Sequence, residues 1–323
     1  MIALDRPIHT PPLRFVDRSH FNPTFDVSGV GFCSVRREFI LIDSMPVFAW
    51  LIFATVTLSY GKSVQAWPYR YERDYVHKSQ SSPFEEDLCY RGSSQSPIDI
   101  TTDHVTYTTH DPLNLVNFNS TGPVMLENQG HTLAITGFPK WKSQPYIFDG
   151  LENSTSPRYY LDNIHLHWSD RSWTGSEHRI NGVHFAAEVH YVFVGEPNVQ
   201  GSKPKHVMAV LLRESSTSGV LWDLERHYQH VMNKDEELLI HNGTTAMTFL
   251  PHKLDHFYRY VGSLTTAPCT EGIIWTVLAT PAKILIHQLN GLRKIQIENQ
   301  LGDNVGNSRG TVALNGRPIY FRI

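Results

Sequence analysis

Eighteen histidines are spread over the 323 residues, and five of them fall between His165 and His190. In the segment Asn163–Ser169 (NIHLHWS) an extended chain alternates its side chains between two faces. Asn163, His165 and His167 then point one way, Ile164 and Leu166 the other. In His184–Val194 (HFAAEVHYVFV) the same period groups His184, Ala186, Glu188, His190 and Val192 against Phe185, Ala187, Val189 and Tyr191. A lone His-x-His on a strand is ordinarily a polar outer face. A third strand-borne imidazole with a carboxylate two residues before it changes that reading, because three imidazoles around one open position are the donor set of a catalytic Zn2+ site. Spacing alone leaves Glu188 two roles, orienting His190 through its other ring nitrogen or ligating directly. Thiolate coordination is excluded, since neither segment carries a cysteine.

The elements that must position these residues are mostly strands. His206–Leu212 (HVMAVLL) and Gly272–Leu278 (GIIWTVL) join the two histidine segments as runs rich in β-branched and aromatic residues. Two helical patterns interrupt them. Ser218–Met232 spaces Leu221, Leu224, Tyr228 and Val231 by three and four, and Pro281 is placed to open a helix that Asn290-Gly291 closes. No low-complexity linker, charge block or internal period breaks residues 67–323, so the expectation is one α+β domain on a central sheet with short peripheral helices. A composition of 41% hydrophobic and 18% charged residues excludes a disordered, collagen-like or coiled-coil chain. The net charge of −3 offers no basic face for a nucleic-acid partner.

Ahead of the domain, Met45–Leu58 (MPVFAWLIFATVTL) is an uncharged apolar run of signal-peptide length, too short for a membrane span. Val64 and Ala66 supply the small residues of a cleavage site, so 45–66 reads as a signal peptide and 67–323 as the mature chain, secreted and without a membrane span. Residues 1–44 form an N-terminal extension with no sustained apolar period, outside the mature protein; a signal-anchor with a short cytoplasmic tail is the alternative. Cys33 leaves with this part, and Cys89 and Cys269 remain as an even pair in an oxidising compartment. Sequons at Asn119, Asn153 and Asn242 agree with secretion and mark candidate glycosylation sites.

Six motifs in order, Gln95-Ser-Pro-Ile-Asp-Ile100, Asn128-Gln-Gly-His131, His165-Leu-His-Trp168, Gly175-Ser-Glu-His178, Ala187-Glu-Val-His190 and Gly262-Ser-Leu-Thr-Thr266, resemble an α-class carbonic anhydrase of the secreted type. The resemblance implies a mostly antiparallel twisted sheet, Zn2+ in a conical cleft, and reversible hydration of carbon dioxide to bicarbonate and a proton. It casts His165, His167 and His190 as zinc ligands, with Asn163 and Glu188 supporting His165 and His190. Thr265 resembles the residue that orients the attacking oxygen and hands a hydrogen bond to Glu177, and Thr266 lies beside it as a substrate contact. Val192, Val210, Leu264, Ile273 and Trp275 match the apolar wall for carbon dioxide, and His131 matches the proton shuttle. Cys89 and Cys269 match the disulfide of extracellular members. Gln129 and Ala134 stand where asparagines usually order cleft water, and Thr132 follows the shuttle. Asn307-Ser-Arg-Gly310 departs from the usual Asn-aromatic-Arg-Pro. The rival reading is a catalytically silent extracellular binding module of the same fold, which would normally have lost a ligand histidine.

Overall fold

The computed structural model describes residues 88–109, 112–150, 155–198, 201–221, 224–241, 244–295, 297 and 306–323. The extension 1–44, the signal segment 45–66, Cys33, Asn153 and Asn242 lie outside these residues. The described part belongs to one compact unit, Val64–Ile323. In chain order its strands are β1 (Asp99–Ile100), β2 (Thr106–Thr108), β3 (Leu113–Val116), β4 (Val124–Asn128), β5 (Leu133–Thr136), β6 (Tyr146–Asp149), β7 (Tyr159–Trp168), β8 (Arg179–Ile180), β9 (Ala187–Gly195), β10 (Lys205–Ser215), β11 (Glu237–Ile240), β12 (Phe257–Ser263), β13 (Glu271–Leu278), β14 (Ala282–Leu285) and β15 (Tyr320–Arg322). The main sheet runs β11-β4-β5-β7-β9-β10-β13-β12-β15-β2, with β3, β6 and β14 attached to its side. Pairing is mostly antiparallel. It is parallel where β10 meets β13 and β14, where β15 meets β2, and in the separate β1–β8 pair.

The central strands are buried on both faces and so read as near-continuous apolar runs. On β10, Met208, Val210 and Leu212 enter one core with Ile164, Leu166, Val189 and Tyr191. Val207, Ala209 and Leu211 enter a second core with Val192, Trp275 and Val277. Register aligns a row of side chains across the sheet on this second face: Glu127, Ala134, His165, His190, Ala209 and Val277. Ala134 and Ala209 flank the two imidazoles.

Two helical expectations need correction. Ala282–Leu285 after Pro281 is a strand, not a first helical turn. β10 is longer than its contact with β13, and β14 completes the same edge by pairing Leu212–Ser215 with Ala282–Leu285. The α-helix follows as Ile286–Leu292 and contains Asn290 and Gly291 instead of stopping before them. Among the described residues of Ser218–Met232 only Glu225–His230 is helical, as a 3-10 turn. The apolar spacing still marks the inward positions, for Leu221, Leu224, Tyr228 and Val231 are all buried.

Candidate metal centre and its cleft

His165 and His190 face each other across β7 and β9, and His167 lies opposite Glu188. The ring centroids are 5.2 Å apart for His165–His167, 5.2 Å for His165–His190 and 4.5 Å for His167–His190. One ligand atom from each lies within 4.8 Å of the others, so the triad is able to hold a metal ion. The remaining nitrogens are engaged behind the rings. His165 Nδ1 meets Asn163 Oδ1 at 3.0 Å, His167 Nδ1 meets the Asn307 carbonyl at 3.0 Å, and His190 Nε2 meets Glu188 Oε1 at 2.8 Å. All three partners accept. Each engaged nitrogen therefore carries the hydrogen, and the other nitrogen presents its lone pair to the common point.

The Asn163 side chain, one methylene shorter than the glutamine more usual there, still reaches His165, and its amide nitrogen donates to Asp162 Oδ2 at 3.0 Å, which fixes its orientation. Burial, followed by the neighbouring His167 and His190, holds His165 well below the ordinary imidazole range. Burial likewise lowers His167, outweighing the opposing pull of Glu177. His167 Nε2 is buried with no hydrogen-bond partner. A buried neutral nitrogen with an unused lone pair costs free energy unless something accepts that pair, and a cation does so.

Glu188 is the hub behind the rings. Its Oε2 accepts from the backbone of Glu177 and His178 at 2.9 and 2.8 Å, and its Oε1 takes His178 Nδ1 at 2.6 Å in addition to His190. Burial alone would raise its pKa, but His178 and His190 outweigh that and hold the carboxyl well below the usual range. Glu188 hydrogen-bonds His190, and with His178 and His190 it also forms a second group whose ligand atoms lie within 4.8 Å of one another. His178 then accepts from Tyr260 at Nε2, 2.8 Å away. His184, grouped with this face by alternation, lies ahead of β9 and is held by the Ser176 carbonyl and Arg179 instead.

A cleft of about 600 Å³ is lined by His165, His167, His131, Val192, Leu264 and Thr266 among others. Residues 79–323 match the eukaryotic-type carbonic anhydrase family. The chain belongs to that family. A putative carbonic anhydrase 5 of Caenorhabditis elegans is 37% identical over 72% of this chain and 76% of its own. Carbonic anhydrase 6 of Mus musculus is 30% identical over 75% of each. Carbonic anhydrase 12 of Homo sapiens is 34% identical over 62% of this chain and 57% of its own.

The remaining carbonic anhydrase expectations fall on the structure unevenly. Glu177 is buried and accepts from the Arg309 backbone at Oε1, 2.9 Å, while its Oε2 has no hydrogen-bond partner. Thr265 is buried, and among the described residues no hydrogen bond joins it to Glu177. Ile273 and Trp275 lie buried in the second core, with the Trp275 indole donating to the Ser263 carbonyl. Val210 does not belong to this wall. It pairs with Val189 and sits in the opposite core, and Val207, paired with both Val192 and Trp275, occupies the face that Val210 was expected to fill. Cys89 and Cys269 form a disulfide. Asn119 is exposed in the turn after β3.

Residues beyond the sequence expectation also enter the site. Asn307 orients His167 through its carbonyl, accepts from the Trp168 N–H through Oδ1, and donates from Nδ2 to the His131 and Leu166 carbonyls. Its departure motif was visible, but no side-chain property announces a backbone acceptor. Among the described residues no helix is long and apolar enough to cross a membrane.

Proposed function

We propose that this chain binds Zn2+ through His165, His167 and His190 and catalyses the reversible hydration of carbon dioxide. The observation that carries the reading is the convergence of three imidazole lone pairs, each with its other nitrogen pinned by an acceptor. When bound, Zn2+ would supply Lewis acidity that brings the pKa of its water to about 7, a figure belonging to carbonic anhydrases as a class and not measured for this chain. The protein's share is positional. Carbon dioxide has no hydrogen-bond donor, so Val192, Val207, Leu264 and Trp275 would receive it against an apolar wall that excludes water. Thr265 would hold the reacting oxygen toward the substrate carbon, with Glu177 Oε2 as the acceptor available to the threonine hydroxyl. His131, lining the same cleft, would carry the released proton toward bulk buffer.

The domain reading goes with this proposal: a secreted catalytic domain from residue 67, preceded by a signal peptide at 45–66. The Cys89–Cys269 disulfide supports it, since such bonds persist in oxidising compartments. The exposed sequon at Asn119 is compatible with glycosylation. Zinc content and stopped-flow hydration measured on the full chain from a secretory host test the function. One zinc per chain with rapid hydration is the expected result, and a zinc-loaded chain without hydration would favour the silent module. Thr265→Ala should keep the zinc and slow hydration by about two orders of magnitude, the scale for losing one orienting polar group.

A further inference from the structure

Glu127 lies in the row that crosses the sheet through His165, separated from it by the small Ala134. Its carboxylate lines the cleft and is held from two sides. Thr136 Oγ1 donates to Oε1 at 2.6 Å, and Gln129 Nε2 donates to Oε2 at 3.1 Å. Gln129 is one of the departures from the family pattern, and its longer amide is what reaches this carboxylate. The main-chain carbonyl of the same Gln129 meets His131 Nδ1 at 3.0 Å. A carbonyl only accepts, so Nδ1 carries the hydrogen and Nε2 the lone pair.

The turn bearing His131 is tied down around this contact. Gly130 N–H donates to Asn128 Oδ1 at 2.9 Å, Gln129 N–H to the Thr132 carbonyl at 3.0 Å, and Thr132 Oγ1 to the Leu166 carbonyl at 2.7 Å. Asn307 Nδ2 donates to the His131 carbonyl at 3.0 Å. Gly130 has φ of 78°, a conformation that costs a side-chain-bearing residue free energy and that glycine adopts readily.

We propose that Glu127 is a positioning residue for proton exit: by anchoring Gln129 it fixes the His131 imidazole in the Nδ1–H form, with Nε2 as the nitrogen that receives and releases the proton. This rests on the proposed hydration activity. A proton leaving the O–H bond of a water in the cleft would form a bond to Nε2. Breaking that same N–H bond would then transfer the proton to a buffer base entering the cleft, while the other hydrogen stays on Nδ1, donated to the Gln129 main-chain carbonyl. Incoming and outgoing protons use one nitrogen, so buffer must reach the interior side of the ring.

The test labels the full chain with 15N-histidine and reads the His131 tautomer by long-range proton–nitrogen correlation, with His131→Ala assigning the signal. The wild type should show Nδ1–H. Glu127→Leu, and independently Gln129→Ala should the first variant fold poorly, should convert it to a tautomer mixture, and Glu127→Gln should partly restore it through its remaining carbonyl. An unchanged tautomer in both disrupting variants overturns the proposal whatever the enzyme's activity. In hydration assays Glu127→Leu should lower kcat in dilute buffer about fivefold, the scale of one lost hydrogen bond, while kcat/KM stays as in the wild type. If His131→Ala leaves kcat intact, the shuttle reading fails. If His131→Ala lowers kcat and Glu127→Leu does not, the positioning role fails alone.

Discussion

Replacing Glu188 by glutamine changes little in shape and inverts the hydrogen-bond logic behind the proposed metal centre. The carboxylate accepts four times: two backbone N–H groups at Oε2, and His178 Nδ1 and His190 Nε2 at Oε1. In Glu188→Gln the amide oxygen can keep the two backbone donors only if its NH2 faces the two imidazoles. His178 can adapt, since moving its hydrogen to Nε2 lets it donate to Tyr260, which then donates to Ser96 Oγ at 2.8 Å. His190 has no such escape. Accepting at Nε2 places its hydrogen on Nδ1 and removes the lone pair meant for the metal; keeping the lone pair leaves two buried donors in opposition. That opposition costs about 1–3 kcal/mol, or roughly 5- to 150-fold in metal affinity, which agrees with the 10- to 100-fold usual for lost outer partners of metal ligands. Zinc affinity by chelator competition, with thermal unfolding of the metal-free protein beside it, measures the effect. Zinc affinity should fall far more than stability does. A variant that binds zinc as tightly as the wild type would refute the tautomer argument.

Val207→Phe should intrude on the apolar wall and lower kcat/KM at least about tenfold with zinc retained, whereas Val210→Ala should cost about 2 kcal/mol of stability without a matching loss of kcat/KM. Steady-state kinetics and urea unfolding of the two variants separate these outcomes. Burial, then the charge of Arg259, holds His206 well below the ordinary imidazole range, and Thr276 Oγ1 hydrogen-bonds its Nε2 at 2.7 Å. The unfolded chain therefore binds a proton that the folded one refuses. Stability should be intact above about pH 6.5 and decline below it, by up to about 1.4 kcal/mol per pH unit for this group, and His206→Gln should flatten that slope in urea titrations. Removing the Cys89–Cys269 bond by a double serine substitution should cost roughly 2–5 kcal/mol, read as a lower denaturation midpoint.

The histidine faces of β7 and β9 were legible because polar and apolar residues alternate there, and a period of two then assigns each side. β10 offers no such cue. HVMAVLL is apolar on both faces, so nothing in its pattern sets the phase, and only the pairing of Val207 with Val192 shows which valine meets the cleft. Glu127 reads in VMLEN as a polar member of an ordinary strand, and its place in the row with His165 depends on the pairing of β4 with β5 and of β5 with β7. Asn307 escaped because its decisive atom is a main-chain oxygen. Pro281 misled through local propensity, where the unfilled edge of β10 decided the outcome.

The proposed metal grip is built from β7 and β9, neighbours in the sheet and close along the chain, while several of its braces arrive later: Thr265 after β12, then Asn307 and Arg309. During synthesis the three imidazoles leave the ribosome on the order of ten seconds before Asn307 does. A nascent chain thus holds every ligand while lacking the groups that set the His167 tautomer and cap Glu177. In biogenesis, a loosely held ion would precede the finished centre, and delivery of zinc need not await release of the completed polypeptide.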